Sequence, residues 1–154
     1  MSPRRNLLLF VIAATSLSAC GKKDAELAPL DTAVVVTPAP TVPRVLGFEL
    51  GHAVDSTRRI SGGVSSTFSP RDTVWLSVRT ENTGANSMLS ARWSFQDGQR
   101  VDSTAQAVAN RSGAADAVTE FHISKPGGWP AGQYKVEVFL DGASQGIKDF
   151  EIRR

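Results

Sequence analysis

Cysteine is almost missing from this chain. Its 154 residues hold one, Cys20, so no disulfide within the chain can brace a fold. Histidine is nearly as scarce: His52 and His122 are the only two, and no HxH, HExxH or paired-cysteine spacing surrounds them. That removes the common zinc motifs, and no metal site or dissociable cofactor is expected. Asp97-Gly98 and Asp141-Gly142 lack the neighbouring acids of a calcium loop and read as turns. Neither Gly62-Gly63-Val64-Ser65-Ser66 nor Gly142-Ala143-Ser144-Gln145-Gly146 is read as having G-x-S-x-G spacing, so no nucleophile elbow is expected in either. No helical stripe follows a glycine-rich stretch, so a phosphate loop is excluded too. The longest apolar run, Leu7 to Ala14, falls well short of the roughly 20 residues that cross a bilayer.

What is there begins at the N-terminus. Arg4 and Arg5 precede the apolar Leu7–Ala14, and small residues then lead into Cys20. A short positive segment, a short apolar core and a small-residue site make a secretory signal peptide. The arginine pair lacks the flanking residues of a twin-arginine signal and reads as ordinary leading charge. Leu17-Ser18-Ala19-Cys20 resembles the lipobox of bacterial lipoproteins. The resemblance implies that the Cys20 thiol receives a diacylglycerol, that residues 1–19 are removed, and that the new amine is acylated. Each buried methylene adds about 0.8 kcal/mol, so several chains make a durable anchor in the lipid bilayer. Gly21 stands where enterobacterial lipoproteins kept in the inner membrane commonly carry Asp. The same resemblance therefore implies an outer-membrane lipoprotein facing the periplasm.

Removing the signal changes the charge balance. Loss of Arg4 and Arg5 lowers Lys+Arg from 17 to 15, against 15 Asp+Glu. The exported body is formally neutral, which argues against nucleic acid as a partner.

Residues 20–44 read as a tether. Pro29, Pro38, Pro40 and Pro43 are half of the 8 prolines, interleaved with Ala, Thr and Val. Such a stretch favours extended polyproline II, and as a flexible coil it would reach roughly 25–30 Å. Val34-Val35-Val36 alternatively reads as an early edge strand.

Residues 45–154 carry the punctuation of an all-β domain: short alternating runs between Gly, Pro, Asn and Asp turns. Strands are expected near Leu46–Leu50, over Thr73–Thr80, Met88–Phe95, Gln99–Asp102, Ala117–Ile123 and Gln133–Leu140, and ending at Phe150-Glu151-Ile152. About seven alternating strands predict two antiparallel sheets packed face to face. Ser103 to Asp116 reads either as a short strand and loop or as a turn of helix.

Two features carry a closer resemblance. Tyr134, at the start of the penultimate strand and two residues before the core position Val136, resembles a tyrosine corner. Trp93 matches the buried tryptophan of immunoglobulin domains, with Val136 where antibody domains carry their second cysteine. Together they are similar to an immunoglobulin-like β-sandwich. Phe68–Thr73 and Thr119–Tyr134 resemble proteobacterial envelope lipoproteins with one such domain and no assigned role. That likeness implies a fold and a location, and no catalytic residues.

Trp75 lies opposite the apolar face of Val74, Leu76 and Val78, and Trp129 lies in the loop before Tyr134. Exposed rings there would stack on sugars or anchor a protein contact. In the other reading Trp129 caps the open end of the sandwich and Trp75 packs beneath the tether. Phe139 also alternates outward. The inventory favours a non-catalytic, membrane-anchored module that binds an envelope protein. A carbohydrate or peptidoglycan binder using Trp75 or Trp129 is the alternative, and a hydrolase using His52 or His122 is a weaker one.

Overall fold

A computed structural model describes residues 42–108 and 116–154. Cys20, the expected tether up to residue 41 and its Val34–Val36 segment lie outside the described residues. Nine strands are present: β1 Arg44–Val54, β2 Ile60–Val64, β3 Thr67–Phe68, β4 Val74–Glu81, β5 Met88–Phe95, β6 Gln99–Ala107, β7 Asp116–Ile123, β8 Gly132–Leu140 and β9 Ala143–Ile152. They form a four-stranded sheet in the order β2-β1-β4-β7 and a five-stranded sheet in the order β3-β9-β8-β5-β6. All pairings are antiparallel except the short β3–β9 contact.

The core follows from the alternation. Val74, Leu76, Val78 and Thr80 of β4 are buried, as are Ala117, Thr119, Phe121 and Ile123 of β7. Facing them are Leu89, Ala91 and Trp93 of β5 and Tyr134, Val136, Val138 and Leu140 of β8. Successive strand side chains point to opposite faces, so each strand contributes one row to the interior. Each fully buried aliphatic or phenyl side chain contributes about 1.5–3 kcal/mol. Without a disulfide, aromatic contacts bind the interior around Phe150. Phe150 stacks on Tyr134 with ring centroids 5.3 Å apart and meets Trp93 edge-on at 5.9 Å. Val136 stands directly opposite Trp93 in the β5–β8 ladder.

The turns obey local chemistry. Asp141 and Gly142 join Leu140 to Ala143 with φ of 51° and 83°, the left-handed pair that a two-residue hairpin requires. Gln96-Asp97-Gly98 joins β5 to β6, with φ of 46° at Gln96 and 101° at Gly98.

Three expectations need correction. The strand count is nine rather than about seven, because β2 and β3 carry no alternation and exist through their pairing with β1 and β9. β6 runs to Ala107, well past Asp102; Leu89 and Ser90 of β5 pair with Gln106 and Ala105 and extend it. No helical turn occurs in the described part of Ser103–Asp116. Residues 109–115 lie outside the described residues.

The β1–β2 hairpin curls onto the outer face of the four-stranded sheet. Its register shifts between Gly51 and Ala53, and a bulge of this kind sharpens the local twist. Ser77, outward on β4, donates a 2.7 Å hydrogen bond to the Arg58 carbonyl. A Cβ on Gly51 would lie 2.4 Å from Cγ2 of Ile60, so the bare backbone of Gly51 is what lets Ile60 settle over it.

Candidate functional site

The two sheets leave a cleft where β6 ends one sheet and β7 ends the other. It encloses about 730 Å³ at the end of the sandwich occupied by the β5–β6 and β7–β8 connections. Its base is the aromatic edge of Phe95, Tyr134 and Trp129; its walls carry Arg100, Asp102, His122 and Lys125.

Local structure explains the wall. In the β5–β6 ladder Ser94 faces Arg100 and Trp93 faces Asp102, so Val101 is the extra residue of a bulge. Val101 packs against the core while Arg100 and Asp102 stay exposed on either side of it. Asp102, Thr104 and Gln106 pair with the inward residues Trp93, Ala91 and Leu89, and therefore share their face. An edge strand facing open space can keep polar residues where a central strand would need apolar ones. Thr104 donates a 3.2 Å hydrogen bond to the Asp102 carboxylate.

The opposite wall is β7, and part of its outer edge is already occupied. The Gln106 amide donates to the Glu120 carbonyl, and the Arg58 guanidinium reaches the Val118 carbonyl at 3.5 Å. His122 follows in the same alternation, and its imidazole stacks on Trp75 with centroids 4.6 Å apart and planes 37° apart.

The expected binding tryptophans separate in this geometry. Trp129 is 6 % exposed. Its indole N–H donates a 3.0 Å hydrogen bond to the Asp72 carbonyl, and its backbone N–H donates at 2.7 Å to the Pro70 carbonyl. A ring so enclosed offers little face to a sugar, which corrects the reading of Trp129 as an exposed stacking platform. Trp75 is half-buried on the outer face, paired in register with His122. Phe139 is likewise half-buried outside, with the Arg92 guanidinium 4.5 Å from its ring centroid.

Trp93 and Tyr134 both lie in the core. The Tyr134 hydroxyl donates a 2.8 Å hydrogen bond to the Pro130 carbonyl four residues earlier. Burial holds the phenol above its ordinary pKa. Trp93 is fully buried, and its indole N–H has no partner among the described residues.

Three smaller clusters bear on chemistry. His52 Nδ1 lies 3.3 Å from an Asp72 carboxylate oxygen, and its ring packs on Phe68 at 4.7 Å. Gly142-Ala143-Ser144-Gln145-Gly146 does have the letter spacing G-x-S-x-G, which corrects the expectation that it lacks it. It nevertheless spans the β8–β9 turn and the start of β9, where no helix follows, and Ser144 donates at 2.7 Å to the Glu137 carboxylate. Asp55 accepts from the backbone of Thr57 and Arg59 and from the Thr57 hydroxyl; these bonds, the hydroxyl's first, hold its carboxyl below the usual range.

Arg100 and Lys125 carried no functional expectation from the sequence, and Asp102 reads there only as a solvated acid at the end of a short strand. The one signal was the break in alternation after Gln99, where Asp102, Thr104 and Gln106 occupy positions that elsewhere would be apolar.

No protein-family model matches the sequence, and no curated protein matches it. Among solved structures, the chain is similar to an immunoglobulin-like protein from Pseudomonas aeruginosa. The likeness covers 75 % of this chain and 99 % of that one, at 18 % identity and a TM-score of 0.51. The fold is an immunoglobulin-like β-sandwich. A weaker likeness, to an alkylpurine DNA glycosylase from Pseudomonas fluorescens, covers 73 % of this chain and 30 % of that one, at 14 % identity and a TM-score of 0.45. Within the immunoglobulin-like frame, β4 and β7 with β1 form one sheet, and β5, β8 and β9 form the core of the other.

Proposed function

We propose that this chain is a lipid-anchored envelope protein whose immunoglobulin-like domain docks a protein partner and performs no catalysis. The anchor in this reading is Cys20, acylated after removal of residues 1–19, with the domain carried on the periplasmic side of the outer membrane. Residues 20–44 are the leash.

The observation that carries the reading is where the cleft lies. The chain enters the sandwich beside Arg44, which pairs with Glu81 at one end of β4. The cleft lies at the other end, where Val74 pairs with Ile123 and Phe95 with Tyr134. A domain tethered through its first strand therefore carries its concave polar surface at the far end from its attachment. Small, partly polar clefts on immunoglobulin-like modules suit recognition, in which affinity comes from a few placed groups. A glycan-binding reading now rests on Trp75 alone.

Two measurements test this. Cells fed an alkyne-bearing fatty acid should label the wild-type protein and leave Cys20→Ala unlabelled; labelling of both would remove the anchor. Pull-downs from crosslinked envelopes should return the same protein repeatedly from the intact chain and not from a tethered control of unrelated fold. An identical catch from both would remove the docking role.

A further inference from the structure

We infer that the cleft between β6 and β7 takes an acidic, extended segment of the partner protein. This deepens the docking reading above and rests on it.

The first ground is charge. Arg100 and Lys125 stand on opposite walls of the cleft, one on β6 and the other just beyond β7, and neither enters an ion pair among the described residues. On the outer face of the five-stranded sheet, Arg92 lies 3.7 Å from Glu137 and Lys135 lies 3.9 Å from Asp149. Asp102 is the one carboxylate on the walls, and it already accepts from Thr104. Two exposed cations with uncommitted donors, set beside an aromatic base, attract carboxylates and repel basic segments.

The second ground is the backbone of β7. Its outward carbonyls at Val118 and Glu120 are met by Arg58 and Gln106, which blunts that stretch of edge against strand addition. The peptide group of His122, next in the alternation, has no backbone partner on that side among the described residues, and His122 lines the cleft. An extended segment can therefore pair with β7 only at its His122 end, where its side chains reach Arg100 and Lys125. Edge pairing supplies the backbone bonds, and the cations supply the preference.

Anisotropy of a fluorescein-labelled octapeptide alternating Glu and Tyr, titrated with the full-length lipidated protein in detergent, tests the assignment. The Glu peptide should bind about tenfold or more tightly than its Gln–Tyr counterpart, and raised salt should weaken it. Arg100→Glu with Lys125→Glu should abolish that preference, and so should the milder Arg100→Gln with Lys125→Gln. Arg79→Glu, on the outer face of the other sheet, should leave it unchanged. Equal affinity for the two peptides, or an undiminished preference in either double variant, would overturn the inference. An envelope pull-down separates the two levels. If the Arg100→Glu, Lys125→Glu protein still returns the wild-type partner, docking stands and the cleft is wrong. If the wild-type protein returns no partner, both fail together.

Discussion

The indole N–H of Trp129 donates a 3.0 Å hydrogen bond to the carbonyl of Asp72, joining the connection before β8 to the turn before β4. Both segments cross between the sheets, one from β3 to β4 and the other from β7 to β8, so the ring closes one end of the sandwich. Its edge also forms part of the cleft base, and the docking surface is therefore built on a structural residue.

Trp129→Ala should accordingly lower stability by about 3–5 kcal/mol, the range for deleting a buried aromatic ring. Trp129→Phe should keep most of the packing and lose about 1–3 kcal/mol for the Asp72 carbonyl left without its donor. Urea unfolding followed by circular dichroism measures both. A Trp129→Ala protein as stable as wild type would make the ring a surface feature after all.

Tyr134→Phe removes the bond to the Pro130 carbonyl while keeping the ring against Phe150. A loss of about 1 kcal/mol is expected, and more if the carbonyl stays dry. The substitution should also change the alkaline limb. Burial raises the folded pKa of Tyr134, so its contribution is complete below the ordinary tyrosine range and disappears as pH rises through the folded value. Wild type should weaken across that window more steeply than Tyr134→Phe. Parallel alkaline curves for the two proteins would contradict this.

Asp55 gives the opposite sign. Hydrogen bonds from Thr57 and Arg59 lower its folded pKa, so its contribution is present above the ordinary carboxylate range and is lost as pH falls through the lowered value. An NMR titration of the side-chain carboxyl should place Asp55 below the ordinary aspartate value. Asp55→Ala should flatten the acid limb of stability and loosen the Asp55–Arg59 turn. An Asp55 midpoint at the ordinary aspartate value would contradict this.

Gly51→Ala should displace the β1–β2 hairpin. The new methyl would meet Ile60 Cγ2 at 2.4 Å and the Gly63 carbonyl at 3.1 Å. Overpacking of this kind costs about 1–3 kcal/mol. Ile60→Ala in the same chain should return part of the loss, so a double-mutant cycle should give a favourable coupling. Strict additivity would mean that Ile60 does not lie over Gly51.

The legibility of the sequence followed burial. β4, β5, β7 and β8 each place one face in the core, so Val74-x-Leu76-x-Val78 and Tyr134-x-Val136-x-Val138 announce themselves by period. β2 could not be read, because Gly62 and Gly63 adopt positive φ and its pairing with β1 is a property of the folded chain. β3 is two residues held by β9. The length of β6 was hidden by Thr104 and Gln106, polar residues opposite the inward Ala91 and Leu89. Trp129 was ambiguous because its burial depends on Pro70 and Asp72, far away in sequence. The cleft itself is assembled from β5, β6, β7 and the connection before β8, and no local pattern announces such a convergence.

A partner docked at the far end of the sandwich from the tether should crosslink there and not at the near end. Photo-crosslinking in intact cells reads this, with a photoreactive residue placed either at Lys125 in the cleft or at Ala143, beside the Asp141-Gly142 turn at the opposite end of β8 from Tyr134. Position 125 should give a discrete protein adduct that is lost with Arg100→Glu, and position 143 should give none. The same adduct from both positions, or one from position 143 alone, would place the partner elsewhere.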